Sequence, residues 1–211
     1  MCIRDRRKFV AAKKVLQKLD RIFRFANRND YCKHNPVILL KDVIITPKKK
    51  NQPALEESDL PEFLKKLDDI NVYITTKMGL RMVMLTLTRT KEIRHSTWDE
   101  FDLETDKPLW RIPADRMKMN RDHIVPLSMQ AVKVLKKVKR FSRGNQFVFE
   151  QQNNPQKPMS ENTMLYAMYR MGYHGRATVH GFRATASTIL NEKGFRLSLI
   201  HISEPTRPSS I

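Results

Sequence analysis

Strand-like patterning in this chain is confined to short runs. Residues 109–113 and 123–127 are β-prone, and the polar, turn-like stretch 117–122 between them makes the pair read as one hairpin. Residues 146–149 read as a further short strand. Every longer apolar pattern repeats at helical spacing instead. Ala12, Val15, Leu16, Leu19, Ile22, Phe23 and Ala26 form one stripe, with Lys13, Lys14, Lys18, Arg21 and Arg24 around the remaining face. Leu60, Phe63, Leu64 and Leu67 form a second, in a helix that tolerates Pro61 in its first turn. Residues 73–87 are apolar enough for a buried helix, and 131–138 are helical. Ser160 is placed to cap a helix with Met164, Leu165, Met168 and Met171 on its inner face. A last helix runs over about 180–192, with Gly194 as its C-cap. The fold class that follows is mainly α (α+β), with a small antiparallel hairpin or sheet.

Charge narrows the partner. Lys and Arg number 40 against 22 Asp and Glu, a net charge of +18, which points to a polyanion. No apolar run approaches the roughly 20 residues that span a bilayer, since Lys41 and Asp42 interrupt the stretch 37–45. Two cysteines, Cys2 and Cys32, make neither a disulfide framework nor a zinc site, and a reducing cytoplasm fits best.

Both ends resemble translated sequencing adapter. Residues 197–207 match the reading of a transposase adapter used in library preparation, and residues 1–5 match the reverse complement of the same transposon end. The expectation is an adapter-derived 1–6 and 197–211 around a native stretch. Setting aside Arg4, Arg6, Arg207, Asp5 and Glu204 lowers the net charge by only one. Within the native stretch, Asn35-Pro36 stops the first helix, and the aperiodic basic run with Pro47, Lys48, Lys49, Lys50 and Pro53 reads as a linker. The expected organisation is a partial helical domain at 7–46, a linker at 47–53 and a second domain at 54–196.

Four pieces of sequence then occur in a telling order. They are Thr88-Arg89-Thr90-Lys91-Glu92-Ile93-Arg94 with Trp98 and Phe101-Asp102-Leu103; Arg116-Met117-Lys118-Met119 with His123-Ile124-Val125-Pro126-Leu127-Ser128; Pro158-Met159-Ser160; and His180-Gly181-Phe182-Arg183-Ala184-Thr185-Ala186-Ser187. Together they resemble the tyrosine recombinases, most closely the integrases of prophages and integrative islands, over nearly all of the native stretch. The resemblance implies a truncated catalytic domain preceded by part of a helical core-binding domain. It also implies a metal-free and cofactor-free transesterification, in which a tyrosine attacks a DNA phosphodiester and forms a 3′-phosphotyrosyl intermediate. Partners implied are double-stranded DNA at attachment sites and a tetrameric synapse, in a bacterial cytoplasm at the nucleoid and away from any membrane.

The same resemblance assigns roles. Arg89 and Arg183 would hold the phosphate, a task that suits a planar guanidinium carrying a permanent charge. Lys118 would protonate the leaving 5′-oxygen, or else it makes a phosphate contact or is merely exposed; Lys91, Arg116 and Arg121, read as DNA-binding, are nearby alternatives for its role. His180, three residues before Arg183 at a helix start, would move the tyrosine proton, or else it is a histidine satisfied by backbone at the helix N-terminus. Glu92, three residues after Arg89, orients it or another catalytic group, or forms a plain surface ion pair. Lys48, Lys49 and Lys50 would neutralise phosphates along the linker.

The family's second histidine and nucleophilic tyrosine fall beyond Arg196. His201 lies in the adapter-like tail, and Tyr166, Tyr169 and Tyr173 precede His180, where they read as packing residues. The expectation is therefore a chain that does not itself cleave DNA. A non-catalytic DNA-binding protein and a type IB topoisomerase relative are the rival readings.

Overall fold

A computed structural model describes residues 9–40, 53–117 and 120–195. The linker lysines Lys48, Lys49 and Lys50, the hairpin lysine Lys118 and both adapter-like ends lie outside the described residues. The chain divides into two compact units, 1–51 and 52–211.

In the first unit, helix α1 (Phe9–Arg28) packs on a 3-10 turn over Pro36–Leu40. Ala12 and Val37 are buried, and the Asn35 side chain donates to Asp20 at 2.9 Å. The amphipathic helix expected over 12–26 is present, as is its stop before Asn35-Pro36.

The second unit is organised around helix α3 (Ile74–Thr86), which packs against α4 (Thr90–Arg94), α5 (Met129–Phe141), α6 (Thr163–Arg170) and α7 (Gly181–Glu192). Most of helix α3 is turned inward: Thr75, Thr76, Met78, Gly79, Leu80, Met82 and Val83 are all buried, while Lys77, Arg81, Met84 and Leu85 mark its more open side. Such a helix is apolar around much of its circumference, which is why residues 73–87 read as buried. At Gly79, a Cβ would stand 3.3 Å from the Met164 sulfur, so glycine sets how closely α6 approaches. Helix α2 (Leu60–Asp69), with Pro61 in its first turn, buries Phe63 and Leu67. The Phe63 ring sits 5.2 Å from Tyr173 and 5.1 Å from Phe182, an aromatic trio that joins α2 to the segment after α6 and to α7. Tyr173 is thus a core residue, while Tyr166 is exposed and Tyr169 packs on His174 at 4.4 Å.

The hairpin forms with the expected partners. Strands β2 (Leu109–Ile112) and β3 (His123–Pro126) pair antiparallel, with Ile112 opposite His123. A short strand β1 (Phe101–Asp102) adds to β2, which makes a three-stranded sheet in the order β1-β2-β3. Trp110 is fully buried, stacks on Phe101 with centroids 5.1 Å apart, and donates its indole N–H to the Glu100 carboxylate at 2.8 Å.

Two expectations are corrected. Residues 146–149 form no strand; they form a turn touching Thr97 through a single bridge at Phe147. Val148 and Phe149 are buried in succession, which alternation would forbid, and the buried Glu150 carboxylate clamps the turn by accepting from Arg143 at 2.7 Å and Asn145 at 3.3 Å. Ser160 does not cap α6 with its side chain; the helix starts later, at Thr163, with Asn162 at the N-cap position. By contrast Ser128 caps α5, its hydroxyl accepting from the Ala131 amide. Helix α7 ends as Gly194 suggested: Gly194 has φ +77, its amide bonds to Asn191 and the Phe195 amide to Leu190, a Schellman closure.

Beneath the sheet, Glu100 accepts from Trp110, from Thr97 and from the Arg116 guanidinium, which also donates to the His95 carbonyl. Arg116 is 19% exposed and Glu100 7%. Glu100→Gln leaves a largely buried guanidinium without its countercharge and is expected to lower stability by about 3 kcal/mol. Chemical denaturation followed by circular dichroism measures this, and a loss under about 0.5 kcal/mol would mean that the pair does not hold the sheet.

Candidate active site

The site is built where α3 ends. Leu87 adopts the left-handed conformation, φ +53 and ψ +21, while its amide still bonds to the Val83 carbonyl at 2.8 Å. A leucine held there costs on the order of 1 kcal/mol or more, so surrounding contacts must enforce it. One of them is direct: the Arg183 guanidinium donates to the Leu87 carbonyl at 2.5 Å, across 96 positions of sequence. Thr86 and Thr88, whose hydroxyls lie 2.9 Å apart, brace the same turn.

The turn delivers the chain to Arg89, at the N-cap of α4. Arginine has no acceptor with which to cap a helix. Glu92, buried and one turn on, supplies it by reaching back: one carboxylate oxygen accepts from the Arg89 backbone N–H and the other from its guanidinium, both at 2.7 Å. Glu92 therefore fixes backbone and side chain of Arg89 together, which a plain surface ion pair would not do, and leaves a third of the Arg89 side chain exposed.

His180 is the N-cap residue of α7 and is exposed, one turn before Arg183, whose amide bonds to the His180 carbonyl. The structure thus brings Arg89, Glu92 and Arg183 together at the Leu87 turn, with His180 at the start of the helix that carries Arg183. Lys91 on α4 and Arg121 on the β2–β3 connection are exposed. Arg116, expected on the DNA side, is turned inward onto Glu100 and His95; there it anchors the hairpin connection two residues before Lys118. Arg94 is likewise turned in, its Nε donating to the Met159 carbonyl at 2.6 Å, which gives Pro158-Met159-Ser160 a reason in packing. Two guanidinium groups at one turn, with an imidazole on the same helix start, suit binding of a phosphodiester and movement of a proton. Among the described residues no group of three or more His, Cys, Asp and Glu side chains is gathered as a metal ligand set, and no helix is long and apolar enough to cross a membrane.

Sequence reasoning missed His95, at the end of α4. Burial first, then the neighbouring Arg94, Arg116 and Lys91, push its imidazole below the ordinary value of 6.5. Its sequence signal was only a histidine beside an arginine. The folded chain holds His95 neutral to lower pH than the unfolded chain does. Its contribution is intact above pH 6.5 and is lost as pH falls towards the depressed folded value, because the unfolded state takes up the proton first. Unfolding midpoints at about pH 7.5 and about pH 5.5 should show a fall in stability that His95→Gln reduces; an equal fall in both proteins would overturn the assignment.

The profile of the phage integrase family matches residues 53–202. The chain is 38% identical over 197 residues to the integrase of Enterobacteria phage P4, an alignment covering 87% of this chain and 44% of that protein. It is 34% identical over 183 residues to the prophage integrase IntA of Escherichia coli strain K12, with the same coverage of each. The chain spans about half the length of the curated relatives it matches. Among solved structures, its fold is similar to a lambda integrase (75-356) dimer bound to a COC' core site, with TM-score 0.73, 16% identity, and coverage of 97% of this chain and 75% of that one. It is also similar to the Tn1549 transposon integrase (aa 82-397) in complex with circular intermediate DNA, with TM-score 0.72, 17% identity, and coverage of 95% and 73%. These structural likenesses are of fold, whereas the profile takes in well over half of the sequence, and on that ground the chain belongs to the phage integrase family of tyrosine recombinases.

Proposed function

We propose that this chain is part of a site-specific DNA integrase that cleaves and rejoins strands through a 3′-phosphotyrosyl intermediate. The observation that carries the reading is the junction at Leu87, where Arg183 and the Glu92-held Arg89 meet in a chain with +18 net charge. In this reading both guanidinium groups donate to the non-bridging oxygens of the phosphate and stabilise the charge that builds up at phosphorus. A tyrosine oxygen forms a bond to phosphorus as the bond to the 5′-oxygen breaks. His180 accepts the tyrosine proton, Lys118 protonates the leaving 5′-oxygen, and rejoining reverses each transfer.

The nucleophilic tyrosine and a second histidine belong beyond residue 196, so the chain as it stands binds DNA without cutting it. Residues 7–46 are read as part of the core-binding domain, 47–53 as the linker and 54–196 as catalytic domain; the division of the structure at residues 51 and 52 supports this order. Residues 1–6 and 197–211 are read as adapter-derived. Lys48, Lys49, Lys50, Lys91 and Arg121 contribute phosphate contacts and a salt-dependent affinity. Arg116 is read as a strut. Double-stranded DNA is the partner by analogy with lambda integrase, solved on a core site, and its tetramer on a Holliday junction suggests the assembly of the intact protein in the cytoplasm.

Recovery of the intact reading frame from the source DNA, followed by incubation of the encoded protein with a nicked duplex, tests the reading. A covalent adduct lost on Tyr→Phe at the downstream tyrosine is expected. Arg89→Gln and Arg183→Gln should each slow adduct formation by about 100-fold or more at saturating DNA. An intact frame without that tyrosine, or one that forms no adduct, leaves a DNA-binding protein without strand cleavage.

A further inference from the structure

The chain enters its second unit as a strap laid across the start of α7. The Pro53 carbonyl accepts from the Thr178 amide at 3.2 Å, and the Leu55 carbonyl accepts from the Thr185 hydroxyl at 2.6 Å. Between these two bonds lies Gly181. A Cβ there would stand 2.4 Å from the Pro53 carbonyl oxygen and 3.1 Å from the Ala54 Cα, and both obstacles are backbone. No side chain fits, so the strap and the helix meet main chain to main chain. Leu55 and Thr185 are buried, and Lys193 pairs with Glu57 at 2.7 Å farther along the helix.

The spacing of these contacts along α7 matters more than their number. Gly181 directly follows His180, and Thr185 comes two residues after Arg183. The strap therefore holds the same first turns of helix that carry both groups. We infer that Gly181 and Thr185 are positioning residues: through them the 53–55 strap sets how far the start of α7 projects, and with it the reach of His180 and Arg183 to the reacting phosphate. This rests on the reading of His180 and Arg183 given under Proposed function. A strap that only covered apolar surface would tolerate a small side chain at 181 and would have no use for a buried hydroxyl aimed at a backbone carbonyl.

The test uses the intact protein and a nicked duplex, in single turnover, reading the adduct rate at saturating DNA and the half-saturating DNA concentration separately. Gly181→Ala is expected to lower the rate by ~10- to 100-fold, the scale of a misplacement near 1 Å, with the half-saturating concentration changed by less than ~3-fold. Thr185→Val, which keeps the shape and removes the donor, should lower the rate by ~3- to 10-fold, and Thr185→Ser should restore it. Should Gly181→Ala fail to fold by circular dichroism, the Thr185 pair decides alone. A Thr185→Val rate equal to wild type, a Thr185→Ser as slow as Thr185→Val, or rate and half-saturation failing together overturns the inference while the wild-type adduct still stands. A wild-type protein that forms no adduct sinks the functional reading, and the inference with it.

Discussion

Helix α3 is packed on four other helices, so the place where it ends is set by the core. Leu87 takes a left-handed turn that a leucine does not adopt unaided, and the residues after it are aimed by that turn. The Arg183 guanidinium closes on the Leu87 carbonyl, and Glu92 grips Arg89 from the other side. Each contact depends on the core having placed α3 first. Packing inside the second unit thus sets where α3 ends, and the polar contacts of Glu92 with Arg89 and of Arg183 with Leu87 hold the turn built on that end.

The helices were legible because each shows an apolar stripe or a largely apolar run: Leu60, Phe63, Leu64 and Leu67 predicted α2, and 73–87, apolar enough to be buried despite Lys77 and Arg81, predicted α3. The hairpin was legible because two β-prone runs, 109–113 and 123–127, flank the polar turn-like stretch 117–122. Strand β1 was not, since two residues carry no periodicity and Phe101 and Asp102 pair only because β2 is there to receive them. The run 146–149 misled because a short β-prone stretch does not distinguish a strand from a buried turn, and here Arg143 and Glu150 pair across a turn.

At the candidate site, residue types were legible and their partners were not. Arg89, Glu92, His180 and Arg183 stand out by motif. That Arg116 faces Glu100, 16 positions away, depends on the sheet and leaves no mark in the local sequence. Leu87 gave no signal either, because its conformation contradicts its type. Gly181 stood only as one residue of the His180 motif, and its use, a close approach of the Pro53–Ala54 backbone, is visible only in the fold. Part of the large positive charge is also internal: Arg94, Arg116 and Arg143 donate to carbonyls and carboxylates within the fold, so net charge overstates the surface offered to a polyanion.

The small sheet has two outer edges, and both are poor templates. Strand β1 is two residues long, and the last residue of β3 is Pro126, which has no N–H to offer a fourth strand. Copies of this chain brought to high local concentration would find, among the described residues, only a short and interrupted row of amides at either edge through which to pair. Sheet growth between copies is therefore disfavoured at these two edges by the brevity of β1 and by Pro126.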